Sequence, residues 1–131
     1  MIEQDKKIVD WKAINKKAKD ALDFLKADID LSSIVENLSV AKQQMVAIAS
    51  AVAEDAKMII MDEPTSALSK QEVLHLYDII DSLKAKGIAI MFVSHKMDEL
   101  FKVADRFTVL RDGQYVKTVK KQKFVKINLF P

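Results

Sequence analysis

At 131 residues, half of them hydrophobic and 31% charged, the chain has the size and balance of one folding unit with a real core, which excludes a disordered tail, a collagen-like repeat and a coiled coil. Cysteine is absent, so there is no disulfide framework and no thiolate metal site; no apolar run approaches the roughly 18 residues that span a bilayer, and a soluble protein of a reducing, intracellular compartment is expected. The net charge of +2 hides a split: Lys117, Lys120, Lys121, Lys123 and Lys126 fall in the last fifteen residues without an acid, and the other 16 Lys and Arg against 19 Asp and Glu leave the body at about −3, which argues against a nucleic-acid partner and for a solvated tail.

In chain order, Trp11, Ile14, Ala18, Leu22 and Leu25 recur at helical spacing and predict an amphipathic surface helix over 11–26. A polar connection over 27–38 leads to Ser39, a suitable N-cap for a helix to about Ala53 whose apolar residues occupy much of its circumference, so deeper burial is expected. Met58-Ile59-Ile60-Met61, stopped by Asp62-Glu63-Pro64, is a short apolar run without alternation, the pattern of a parallel strand covered on both faces. Ser69-Lys70-Gln71-Glu72 is a capping box opening a helix with Val73, Leu76, Tyr77, Ile80 and Leu83 on one face and Gly87 at its end. A second apolar run, Ile88 to Val93, completes a parallel unit with a right-handed crossover. A short helix over 97–104, a strand over 107–110, an Asp112-Gly113 turn and a strand over 115–119 follow.

Glycine is scarce. Average usage gives about nine in a chain of this length, and only Gly87 and Gly113 occur. A phosphate-cradling G-x-x-x-x-G-K loop or a dinucleotide G-x-G-x-x-G needs several close together, so neither is present. Ligands of an open parallel sheet sit at the carboxyl ends of its strands. One strand ends there in Asp62 and Glu63, able to divide the work of holding a hard cation and taking a proton from water; the next ends near His95.

Four segments together resemble the ATP-binding cassette ATPases. Leu38-Ser39-Val40-Ala41-Lys42-Gln43-Gln44 is similar to their signature motif, Met58 to Thr65 to their Walker B strand with its following glutamate, Ser66-Ala67-Leu68-Ser69 to the D-loop, and Phe92-Val93-Ser94-His95 to the switch-histidine loop. Within that family, Met61-Asp62-Glu63-Pro64-Thr65-Ser66-Ala67-Leu68 and Ser94-His95-Lys96-Met97-Asp98-Glu99-Leu100-Phe101 look most like the first cassette of the double-cassette ATPases of bacterial monosaccharide importers, the ribose and galactose group.

The resemblance implies an α/β fold: a partial P-loop NTPase (RecA-like) parallel sheet, part of the helical subdomain at about 8–54, the Walker B, D-loop and switch-histidine core at 55–119 with a carboxyl-terminal β-hairpin, and a tail at 120–131 outside the family pattern. It also implies ATP and Mg²⁺ as cofactors. Asp62 would hold Mg²⁺ through its water, Glu63 would orient and deprotonate the attacking water, and His95 would contact the γ-phosphate. Ser39, Val40, Ala41, Lys42 and Gln43 would bind the nucleotide of an opposing cassette at a helix N-terminus, with Ser66 along the interface between cassettes. Ala41 stands where the family usually has glycine. Implied partners are that opposing cassette, transmembrane permease subunits and a periplasmic or lipid-anchored sugar-binding protein, at the cytoplasmic face of the membrane. The family's phosphate loop and glutamine loop precede the signature and match nothing before Ser39, so the chain by itself is expected not to hydrolyse ATP, and exposed sheet edges are expected to favour self-association. The alternative is a truncated, non-enzymatic module that pairs with an intact cassette through its signature helix. A signalling receiver lacks its second acidic site here, and a serine hydrolase lacks the glycines of a nucleophile elbow.

Overall fold

The computed structural model describes residues 9–124. The chain divides into two compact units at Ile59/Ile60.

The first unit is helical. Helix α1 spans Trp11–Phe24 and is capped by Asp10, whose carboxylate accepts from the N–H groups of Lys12 and Ala13, both at 3.1 Å. Helix α2 spans Val40–Ala53, starting one residue after Ser39 as the sequence predicts, and a 3₁₀ turn at Val35–Asn37 interrupts the connection before it. The two helices pack through Ala21, Leu22 and Leu25 on one side and Met45, Ile48 and Ala49 on the other. The expected stripe on α1 is therefore buried only in its second half: Trp11 and Ile14, 68% and 48% exposed, stand clear because α2 faces the later turns. Likewise α2 is less buried than expected, with Val40 exposed.

The second unit is α/β. Strands β1 (Met58–Asp62) and β2 (Ala89–Val93) form a two-stranded parallel sheet, joined by helix α3 (Lys70–Ala85). Both halves of the α3 capping box are made: the Ser69 hydroxyl accepts from the Glu72 N–H, and the Glu72 carboxylate accepts from the Ser69 N–H at 2.7 Å. Leu76, Ile79, Ile80 and Leu83 form the buried face of α3 and, with Met61, the centre of the core. Burial of the strands on both faces does not hold. Met58, Ile60, Met91 and Val93 are 44–65% exposed, because α3 packs on one side of the sheet and the alternate residues point to the other.

Helix α4 (Met97–Val103) leads to an antiparallel hairpin of β3 (Arg106–Arg111) and β4 (Gln114–Lys120). Asp112 and Gly113, at φ +51° and +75°, make the two-residue turn with positive φ at both positions that matches the strand twist. A register shift between Val109 and Leu110 leaves Val116 as the extra residue of a bulge. At the start of the tail, Lys121–Phe124 form a helical turn, α5, whose first N–H donates to the Asp105 carbonyl at 2.9 Å. The rest of the expected solvated tail lies outside the described residues.

All three long helices end in the same motif. After α1, α2 and α3 the chain turns through Lys26, Asp55 and Gly87, each in the left-handed region, and the next N–H returns to a carbonyl five residues earlier (Ala27 to Leu22, Ala56 to Ala51, Ile88 to Leu83). Only one of the three positions is glycine, so the low glycine content is partly carried by left-handed lysine and aspartate.

Candidate functional site

The end of β1 and the end of β2 meet. Glu63 follows β1 at φ +45°, a conformation costly for a non-glycine residue, and it is held by its surroundings: its N–H donates to the Val93 carbonyl at 2.9 Å, and its own carbonyl accepts from the Ser66 N–H at 3.2 Å. That backbone turn aims the Glu63 side chain at the loop after β2. Its Oε1 lies 2.8 Å from Nδ1 of the His95 ring and accepts the His95 N–H at 3.0 Å. Its Oε2 is buried and has no hydrogen bond.

The His95 ring bond holds the Glu63 carboxyl below the ordinary glutamate range; desolvation opposes this, and the His95 N–H and the nearby Lys96 charge reinforce it. At neutral pH Glu63 is thus an anion with Oε1 held by His95 and Oε2 enclosed with its acceptor capacity unused. That is the state needed to orient a water molecule in a site bounded by His95.

Beside the pair lies a second group of polar side chains. Thr65, 2% exposed, donates its hydroxyl to Glu99 Oε2 at 2.6 Å. Ser94 Oγ is 3.4 Å from the same oxygen, and Lys96 Nζ is 3.2 Å from Glu99 Oε1. The sequence reading did not single out Glu99 or Thr65 as site residues. The signal that could have found them is weak: polar residues flanking Glu63 and His95, and a glutamate on the first turn of the next helix.

Asp62, the last residue of β1, is exposed, as is Ser66. Among the described residues no three His, Cys, Asp or Glu side chains gather as a metal site. A single exposed carboxylate suits a hard cation held chiefly by phosphate oxygens and water, not one caged by the protein, so the residues present fit Mg²⁺ in that role.

The signature segment belongs to the first unit. Ser39 caps α2, its hydroxyl accepting from the Lys42 N–H at 3.4 Å, while the Gln43 N–H goes to the Ser39 carbonyl at 2.9 Å. The first-turn donors left over are the N–H groups of Val40 and Ala41, at the exposed positive end of a 14-residue helix. The side chains of the next two residues bond to backbone carbonyls of the preceding segment. Lys42 Nζ donates to the Asp28 carbonyl at 3.0 Å, and the Gln43 amide donates to the carbonyls of Val35 and Leu38 at 3.2 and 3.1 Å. They brace the loop before the helix.

The family model described as ABC transporter matches residues 1–66. The chain is 49% identical over 109 residues to the ribose import ATP-binding protein RbsA 1 of Rhizobium meliloti, covering 83% of this chain and 22% of that protein. It is 50% identical over 111 residues to the galactose/methyl galactoside import ATP-binding protein MglA of Mannheimia succiniciproducens, covering 85% and 22%. The chain thus spans about a fifth of the length of these relatives. Among solved structures it resembles MJ1267, an ATP-binding cassette of an ABC transporter, with a TM-score of 0.78 at 27% identity, covering 92% of this chain and 48% of that one. The cbiO1 protein of Clostridium perfringens, part of an ABC transporter complex, shares the fold with a TM-score of 0.77 at 22% identity, over 92% and 49%.

Proposed function

Because the chain belongs to the ABC transporter family, we propose that it carries the signature, Walker B, D-loop and switch-histidine segments of a cassette that couples ATP hydrolysis to monosaccharide uptake. The observation that carries this reading is the Glu63–His95 pair at the ends of two parallel strands, with one carboxylate oxygen held and the other buried without a hydrogen bond.

In this reading the Glu63 carboxylate orients the attacking water and takes its proton as the bond to the γ-phosphorus forms and the bond from that phosphorus to the β–γ bridging oxygen breaks, releasing ADP and inorganic phosphate. His95 fixes the carboxylate's direction through its ring and its N–H, and its exposed ring is free to meet a phosphate. Asp62 would hold Mg²⁺ through its water shell, and the ion would supply charge neutralisation on the phosphates. The N–H groups of Val40 and Ala41, with Ser39, receive the γ-phosphate bound by an opposing cassette, and Lys42 and Gln43 act through the loop they brace. Ser66 faces that partner from the D-loop.

The remaining partners follow from the same reading: permease subunits in the membrane, a sugar-binding protein outside it, and a position at the cytoplasmic face. None of the helices among the described residues is long and apolar enough to cross a membrane. The apolar sheet face of Ile60 and Met91 favours self-association when nothing covers it.

The test supplies what the sequence does not contain. Co-expressed with a polypeptide carrying the phosphate-loop half of a ribose-importer cassette, the chain gives Mg²⁺-dependent ATP hydrolysis that Glu63→Gln lowers by about 100-fold or more. Hydrolysis that is indifferent to Glu63→Gln overturns the assignment.

A further inference from the structure

We propose that Glu99 is a positioning residue of the hydrolytic pair: its buried carboxylate ties together the two loops that present Glu63 and His95. The contacts bracket the pair on both sides. Thr65 is two residues after Glu63, and its hydroxyl donates to Glu99 Oε2 at 2.6 Å. Ser94 and Lys96 flank His95; Ser94 Oγ reaches the same oxygen at 3.4 Å, and Lys96 Nζ reaches Glu99 Oε1 at 3.2 Å and Thr65 Oγ1 at 3.5 Å. Ser94 Oγ also accepts the Lys96 N–H at 3.1 Å, closing the loop around His95.

The donors and acceptors are consistent throughout. Each hydroxyl donates to the carboxylate and accepts from a Lys96 nitrogen, so all three groups are satisfied around an ionised Glu99. The Glu99 side chain is 12% exposed, so an acceptor lost there is not replaced freely by water. Glu99 itself is anchored on α4, and it touches neither member of the pair. It acts through Thr65, Ser94 and Lys96, and a shift of any of them moves the 2.8 Å contact between Glu63 and His95.

This inference rests on the proposed role of Glu63 and His95, but its test reads geometry with no nucleotide present, so its failure leaves that role standing, and absence of hydrolysis leaves the geometry standing. Amide hydrogen exchange of the full chain is compared in wild type, Glu99→Ala and Glu99→Gln. The expected result is that Glu99→Ala speeds exchange at His95 and Lys96 by about tenfold while Leu76 and Ile80 in α3 change by less than about threefold. Glu99→Gln, which keeps an oxygen acceptor for both hydroxyls but sets an amide N–H₂ opposite Lys96 Nζ, brings exchange at His95 and Lys96 back toward wild type by about threefold or more from the Glu99→Ala rate. Unchanged exchange at His95 in Glu99→Ala, equal acceleration in α3, or no rescue by glutamine overturns the proposal. Where Glu99→Ala does not fold, the isosteric Thr65→Val removes the 2.6 Å bond to Glu99 together with the 3.5 Å contact from Lys96 Nζ, and must accelerate the same two amides.

Discussion

The Nδ1 nitrogen of His95 lies 2.8 Å from Oε1 of Glu63, a residue 32 positions earlier in the chain. The contact exists because β1 and β2 are parallel neighbours whose carboxyl ends open on the same side of the sheet, and because Glu63 leaves β1 in a left-handed conformation pinned to Val93. The geometry has consequences that can be measured.

Glu63 should titrate below the ordinary glutamate value of about 4.3. Since the folded-state pKa is lowered, the stability contributed by the ionised carboxylate is complete above the unfolded value and is lost as pH falls through the folded one. In His95→Ala the carboxyl carbon shift of Glu63 moves its midpoint up toward the ordinary value, and acid unfolding loses part of its pH dependence in that window. A midpoint that stays put in His95→Ala contradicts the pair.

Helix ends offer a second measurement. Lys26 and Asp55 occupy left-handed positions that glycine adopts without strain. Lys26→Gly is expected to stabilise the chain by about 0.5–1 kcal/mol, and Asp55→Gly by less, because aspartate tolerates this region better than lysine. Gly87→Ala, with φ +82° and open space around it, costs about 1 kcal/mol through backbone strain alone. Thermal melts rank the three.

Core and cap of α3 separate cleanly. Leu76 and Ile80 have no exposed surface, so truncating either to alanine costs about 2–5 kcal/mol, whereas Ser69→Ala, which removes one half of the capping box, costs about 1 kcal/mol. Denaturant midpoints that reverse this order would mean that α3 is held by its end and not by its face.

The exposed side of the β1–β2 sheet predicts association. Ile60, 65% exposed, and Met91, 47% exposed, lie on the uncovered face, and Ile60→Lys with Met91→Lys should shift the chain toward its monomer in sedimentation experiments without lowering its helix content. Identical sedimentation of the double variant and wild type would show that this face does not drive association.

Much of this arrangement is legible in the sequence because it is local. The caps at Ser39 and Ser69, the boundaries of α2, the Asp112-Gly113 turn and the strand–helix–strand unit depend on residues a few positions apart, whose side chains satisfy nearby backbone groups or repeat at the helix or strand period. The order of Ser39, Asp62, Glu63 and His95 is likewise a property of the sequence, and it points to the family without any coordinates. Burial is different. An apolar run such as Met58 to Met61 signals a strand but not how many layers cover it, and here alternate residues remain exposed. The left-handed turns at Lys26 and Asp55 are also hidden, since neither residue type announces positive φ.

By itself the sequence determined the family and the order of the candidate groups: the adjacent carboxylates Asp62 and Glu63, His95 and the helix after Ser39, with too few glycines for a phosphate loop. Tertiary structure alone decided how those groups are held. That Glu63 presents one bonded and one unbonded oxygen, and that Glu99 gathers Thr65, Ser94 and Lys96, follows from contacts between residues up to 34 positions apart. Such contacts form only when two strands pair and a helix packs beneath them, because a hydrogen bond needs its atoms within about 3 Å and chain order does not fix that distance.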